Sequence, residues 1–495
     1  MGVVIRQSFL NSVFGYAGIG LGYVSTLILR PKFLTESEIG LANLIVSNMM
    51  LLAPIISLGM PASYLHIFKN DENDSKEELF NFQLTLILLA NVLLMILCWI
   101  GLPLIESIFV DESPEYNQYI FVSLLILLFY STFLQLNAFS VARLNTVFPE
   151  FIRNVYLRIG NMILIILYGM RIINLEWMLK SLVIVYGTAF LINLIFIFKR
   201  YNFLPFLRLK KLSGKVKKEI IRFGGTMILV SLGGTLANQF FFLMIASFLG
   251  LGANGIFTTC FYIATVIEMP KRSMMQIIIP IFSNEFKNQG YTEIGRLYKK
   301  SSLTLSVIAG LIFLGVISNL DDLFMIIPNG ETFETGKMVV ILISLSKMID
   351  LVFGFNSELI NYSPYYRYTP LFSLSYGVVT AILSFLLIPS LGIEGAGYAF
   401  LISIIVYNAI KFYFLNIKYK ITPFTIQHLY LVMLSLVVYF VVLKLPLALQ
   451  PLPRIIIKSV IITLLYGAFV YFLKISVDIN NLTNQLIRRV FKSKS

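Results

Sequence analysis

The chain has 495 residues, 58% of them hydrophobic and only 13% charged, whereas a soluble domain sits near ~45–50% apolar and ~25% charged. No water-soluble chain of this size could hide that excess, so a soluble enzyme, a disulfide-rich secreted domain and a disordered scaffold are excluded. The basic balance, 39 Lys and Arg against 25 Asp and Glu, then bears on membrane topology, and no nucleic-acid partner is expected.

A bilayer core of ~30 Å needs about 20 apolar residues as helix. Only helices or closed barrels satisfy the backbone in lipid. The apolar runs are long and continuous, which predicts an all-α polytopic membrane protein. Fourteen transmembrane helices are expected, at 8–29, 39–60, 79–102, 118–142, 151–171, 176–198, 219–247, 253–280, 300–320, 334–358, 369–390, 393–415, 426–446 and 453–474. The first run is too long for the apolar stretch of a signal peptide and reads as a retained helix. Its Asn11, Gly15, Gly18, Gly22 and Ser25 share one face, which suits close helix packing or the lining of a cavity. Arg30 and Lys32 end it, in reach of headgroups or of substrate. Span two carries Asn43 and Ser47. The loop 103–117 holds Glu106, Asp111, Glu112 and Glu115 and no basic residue. Cys98 and Cys260 lie in apolar runs and read as small buried hydrophobes. No metal, nucleotide-binding or hydrolase motif appears.

Span five opens on Arg153, placed to snorkel, with Arg158 a turn and a half deeper. The stretch 199–222 holds nine basic residues against Glu219. Leu209, Leu212, Val216 and Ile220 repeat there at helical spacing, the pattern of an amphipathic segment held on anionic membrane lipids. Asn238 and Gln239 in span seven are polar groups in need of partners. Span eight carries Glu268, Pro270, Lys271 and Arg272. Proline breaks the helical ladder, and Glu268 shares a face with the two cations at i+3 and i+4. That set is an internal salt bridge or a cationic site for a pyrophosphate. Lys347 and Asp350 in span ten repeat the i,i+3 spacing and form a structural pair or a contact for substrate or coupling ion. Glu358 ends that span and is expected to be solvated.

With the N-terminus in the cytoplasm, 28 of the 39 basic residues fall in inner segments and 8 in outer ones, as the positive-inside rule requires. Both termini then lie inside. The basic segment divides two similar halves. A shift of 215 residues carries Phe33-Leu34 onto Phe248-Leu249, Gly18 onto Gly233, and Ile39-Gly40-Leu41 onto Asn254-Gly255-Ile256. The expected organisation is a six-helix bundle at 1–198, a basic cytoplasmic linker at 199–218, a second pseudo-symmetric six-helix bundle at 219–415, helices 13 and 14 at 426–474, and a cytoplasmic tail at 475–495. An even number of spans per repeat makes the halves parallel, with substrate passing between them near the midplane.

Three stretches carry a likeness: RQSFLNSVFGYAGIGLGYVSTLIL at 6–29, ESEIGLANLI at 36–45, and LGLGANGIFTTCFYIATVIEMPKRSMMQIIIPIFSNEF at 249–286. With the 6+6+2 arrangement they resemble the multidrug/oligosaccharidyl-lipid/polysaccharide exporter superfamily, and within it the polysaccharide transporter branch, the Wzx-type O-antigen flippases. The drug-exporting branch has twelve spans; the lipid II flippase branch has fourteen and stays open.

The resemblance implies alternating access in a bacterial cytoplasmic (inner) membrane, moving a polyprenyl-pyrophosphate-linked oligosaccharide outward for lipopolysaccharide or other surface polysaccharide biosynthesis. Arg30, Arg153, Arg158, Lys271, Arg272 and Lys347 are the candidate substrate contacts, and Glu268 and Asp350 the candidate ion-coupling groups. Beyond a coupling ion, H+ or Na+, no cofactor or metal is expected. A glycan polymerase or glycosyltransferases are the expected protein partners. A membrane glycosyltransferase or ligase is the competing class, but it would need a carboxylate or histidine constellation in a sizeable loop, and no loop here has one. A small-molecule exporter is the alternative among transporters.

Overall fold

The computed structural model describes residues 2–70, 76–109, 112–205, 214–445 and 448–492. Every regular element among them is a helix. Eleven helices are long and apolar enough to cross a membrane, or twelve if Lys337–Val352 and Asn356–Tyr362, bent by 47°, form one span. Two of the eleven, Val216–Lys287 and Tyr366–Tyr419, run to 72 and 54 residues. Each is broken inside, at Gly250 (φ 86°) and Gly392 (φ 63°), where glycine alone takes the left-handed conformation without strain. Chain reversals are expected from sequence near both points. The turns are so tight that helix resumes at once, so a count of continuous helices comes to eleven or twelve.

Contacts sort the chain into two compact units: Met1–Thr259 with Ser373–Gly395, and Cys260–Phe372 with Ala396–Ser495. This sorting differs from the division by sequence repeat, because 214–259 and 373–395 pack with the first helices.

The repeat is visible inside the first unit. A Cβ on Gly40 would run into the Leu251 carbonyl, and one on Gly255 into the Glu36 carbonyl. The 215-residue shift exchanges these two contacts, 36 for 251 and 40 for 255. Asn254 Nδ2 donates to the Gly40 carbonyl at 3.2 Å across the same crossing. Two equivalent helices therefore meet backbone to backbone about a local two-fold. The first helix uses its small-residue face for packing: Asn11 Nδ2 donates to Thr146 Oγ1 at 2.8 Å, and Gly18 lies against Asn154. Tyr64, Phe80, Phe139 and Phe203 are buried together, and the Arg143 guanidinium lies 3.5 Å over the Phe139 ring. Val216 and Ile220 of the basic segment are buried in that core. Here the expected lipid-facing stripe packs on protein instead, because apolar partners from neighbouring helices are at hand. Leu209 and Leu212 lie outside the described residues.

In the second unit, Tyr291–Ser318 packs against Lys337–Val352 and against the last two long helices, Ile426–Leu443 and Pro451–Phe472. Leu434, Val438 and Tyr466 form the core of the latter contact, and Tyr466 Oη donates to the Val307 carbonyl at 3.1 Å. Asp322, 1% exposed, pins Pro451–Phe472 through Lys458 at 2.8 Å and Arg454 at 3.2 Å. The break expected at Pro270 falls two residues earlier, in a 3-10 turn at Val266–Glu268. Pro270 itself sits in the first turn of Met269–Lys287, where its missing N–H has no helical partner to lose.

Candidate functional site

Ionisable groups inside apolar helices are expensive and mark sites of function. Five of the sequence candidates come together in the second unit, but with their partners exchanged. Lys271 Nζ donates to Asp350 Oδ2 at 2.7 Å, and Lys347 Nζ to Glu268 Oε2 at 2.7 Å. Only the Glu268–Arg272 pair stays within its own helix, as its i,i+4 spacing predicts. Lys271 and Asp350 thus find carboxylate and cation in another helix rather than in their own. Residues 268 and 271 meet 347 and 350 at a constant offset of 79, the rungs of two helices running in the same direction. The two lysines are largely buried, whereas the Arg272 side chain is 64% exposed.

Residues that are not among the sequence candidates complete the cluster. Lys411, one of the 28 basic residues that the sequence reading counts in inner segments, is 1% exposed. Its Nζ donates to Ser357 Oγ at 2.8 Å and lies 3.5 Å from the centre of the Tyr407 ring. Glu358, expected to be solvated, is buried at 7%. Asn408 Nδ2 donates to Asp350 Oδ1 at 3.1 Å, and Asn408 Oδ1 accepts from Asn356 Nδ2 at 2.8 Å. The only sequence signal for this second layer is the i,i+3 pair Asn408 and Lys411 in an otherwise apolar run. The full set is four cations (Lys271, Arg272, Lys347, Lys411) and three carboxylates (Glu268, Asp350, Glu358). Two lysines also face aromatic rings: Lys411 as above, and Lys347, whose Nζ is 5.2 Å from the Phe400 ring centre.

The other three candidates lie in the first unit. Arg30 lines a narrow cleft with Asn161. Arg153 is half exposed and paired with Glu150 at 2.6 Å. Arg158 lies against the first helix, where a Cβ on Gly22 would run into its guanidinium. The small residue at 22 is therefore what admits the arginine. The same unit holds a cavity of about 420 Å³, with Asn238 and Gln239 in its wall. Among the described residues, no group of three or more His, Cys, Asp or Glu is placed to hold a metal ion.

Residues 4–286, more than half of the chain, match a family described as polysaccharide biosynthesis protein. In fold the chain is similar to the lipid II flippase MurJ in an inward closed conformation, with a TM-score of 0.74 at 14% identity, over 94% of this chain and 98% of that one. It is also similar to an inward-facing multidrug resistance MATE transporter of the MOP superfamily, with a TM-score of 0.62 at 14% identity, over 84% of this chain and 94% of that one. A MOP superfamily transporter from Pyrococcus furiosus, described as having a binding pocket of reversed polarity, matches with a TM-score of 0.52 at 14% identity, over 85% and 93%. No curated protein matches the sequence.

Proposed function

The chain belongs to the polysaccharide biosynthesis protein family of membrane transporters, and from that premise we propose that it flips a polyprenyl-pyrophosphate-linked oligosaccharide across the bacterial cytoplasmic membrane. The observation that carries this reading is the exchanged ion-pair cluster of the second unit, with four cations against three carboxylates among apolar helices. Ionisable groups are expensive among apolar helices, and a cluster of seven of them there is more than packing alone requires.

A pyrophosphate competes with carboxylates for the same N–H donors, in charge-assisted hydrogen bonds that strengthen as water is excluded. Lys271, Arg272 and Lys347 are the donors in this reading, with Arg272 the accessible first contact. Displaced from the lysines, Asp350 and Glu268 become free to take a coupling ion, H+ or Na+. The ion and the substrate then exchange on one set of cations, which links transport to a gradient without a nucleotide site. Arg30, Arg153 and Arg158 serve the lipid-linked substrate at other stages of its path.

In this reading each of the two broken long helices serves as two spans and the bent pair as one, for fourteen in all. Both termini and the 199–218 segment then face the cytoplasm, and the prenyl chain stays in lipid along helices 13 and 14. The chain acts as a transporter rather than an enzyme. An O-antigen or other surface polysaccharide unit is the favoured cargo, with a glycan polymerase or glycosyltransferases as partners. Lipid II is the second reading, favoured by the fold shared with a lipid II flippase over nearly the whole of both chains.

The test is flipping in vesicles. The purified chain is reconstituted with fluorescent polyprenyl-pyrophosphate-linked glycans, and an impermeant quencher reports transfer between leaflets. Transfer above that of protein-free vesicles is expected, and loss of it with Lys271→Ala and Arg272→Ala together. No transfer of any such lipid, lipid II included, would refute the reading.

A further inference from the structure

The cavity of the first unit differs in chemistry from the charge cluster of the second. Its wall is built from the end of Glu36–Ile56, the segment 59–62, the middle of Ile120–Ala142, and residues 227–239. In a chain with a net charge of +14, no Lys, Arg, His, Asp or Glu among the described residues lines it. Six of its lining residues are uncharged and carry polar groups: Ser57, Tyr130, Ser231, Thr235, Asn238 and Gln239. Asn238 spends one N–H on the Gly234 carbonyl at 2.8 Å, which leaves its amide oxygen as an acceptor. Among the described residues, no protein group is hydrogen-bonded to the Gln239 amide, which keeps donors and acceptor available. Pro54, inside its helix, has no N–H to offer the Met50 carbonyl, and both residues are in the wall.

We propose that this cavity is a binding subsite for an uncharged, hydroxyl-rich moiety, the neutral saccharide part of the cargo. This deepens the flippase reading and rests on it. The argument is one of elimination by desolvation. A diphosphate brought here would lose water and meet no cation, the costliest exchange open to it. A prenyl chain would set two amides and four hydroxyls against hydrocarbon. A sugar ring satisfies both demands. Its hydroxyls both donate and accept, which matches the amides of Asn238 and Gln239. Its C–H faces lie well on the apolar part of the wall. A volume of about 420 Å³ is within the range of small-ligand pockets and too small for a long glycan, so the cavity reads a terminal unit rather than a whole chain.

Site-directed labelling tests this apart from transport. In the full-length chain carrying Cys98→Ser and Cys260→Ser, a single cysteine is placed on either wall, as Thr235→Cys or as Ala62→Cys. Maleimide labelling is timed in nanodiscs with a panel of neutral di- and trisaccharides, with inorganic pyrophosphate, and with farnesol. At least one neutral saccharide should slow labelling of both cysteines several-fold, and pyrophosphate and farnesol should not. Equal slowing by pyrophosphate or farnesol overturns the proposal, as does the lack of slowing by every saccharide on both walls. Slowing by a saccharide in a chain that flips no lipid-linked glycan would refute the flippase reading and leave the subsite standing. Flipping without any such slowing would do the reverse.

Discussion

Lys271 and Asp350 share one contact in apolar surroundings, and the two partners are not equivalent to either alone. Lys271→Ala leaves the Asp350 carboxylate with the Asn408 amide and without the cation that it pairs with directly. Losing one partner of a buried ion pair costs about 3–5 kcal/mol, so this variant should accumulate poorly and melt early in detergent. Adding Asp350→Asn removes the stranded charge. Thermal stability of the double variant should return most of the way to wild type, while flipping remains lost. A double variant as unstable as the single would show that the two residues do not act as a pair. The sequence held both residues as candidates and their helical spacing, yet it offered each a partner in its own helix. The structure joins 271 to 350 and 268 to 347 because parallel helices set side by side bring those pairs closer than the rotamers of one helix allow.

Between elements, the crossing at Gly40 and Gly255 is a close backbone fit. Any side chain there must displace a backbone carbonyl of the facing helix, and backbone gives way less readily than a flexible side chain. Overpacking of this kind costs about 1–3 kcal/mol. Gly255→Ala should therefore lower the melting temperature clearly, and Gly40→Ala likewise. Gly15→Ala is the control, because a Cβ there meets nothing within 4 Å and alanine is the better helix former; it should leave the melting temperature unchanged or raised. Equal shifts from Gly15→Ala and Gly255→Ala in a fluorescence melt would rule out close helix approach as the cause. This contact was partly legible beforehand. The 215-residue register aligned the two glycines, but an alignment says only that two positions are alike. That like positions also touch follows from the local two-fold, which needs three dimensions to appear.

For the whole molecule, the asymmetry of basic residues predicts an orientation that can be tested directly. A cysteine at position 215, in a chain without its own cysteines, should react with an impermeant maleimide in inverted vesicles and stay unreactive in intact cells. A cysteine at Asn117, in the acidic loop, should do the opposite. Rapid labelling at 215 from outside would reverse the orientation and, with it, the direction in which the cationic site first meets substrate.

Hydropathy is a sum over neighbours in sequence, so the sequence alone determined that the chain is helical, spans a membrane many times, repeats itself, and carries a few charges where water is scarce. Those are local or additive properties, and one strand of text holds them. Whether Lys411 and Glu358 end a span in solvent or lie buried depends on which face of the helix turns to protein, and no single helix encodes its neighbours. The same holds for the tight turns at Gly250 and Gly392, for the partners of Lys271 and Lys347, and for a neutral cavity assembled from four separate stretches of chain. Partner choice, burial and cavity shape arise where distant surfaces meet, and only the tertiary structure decided them.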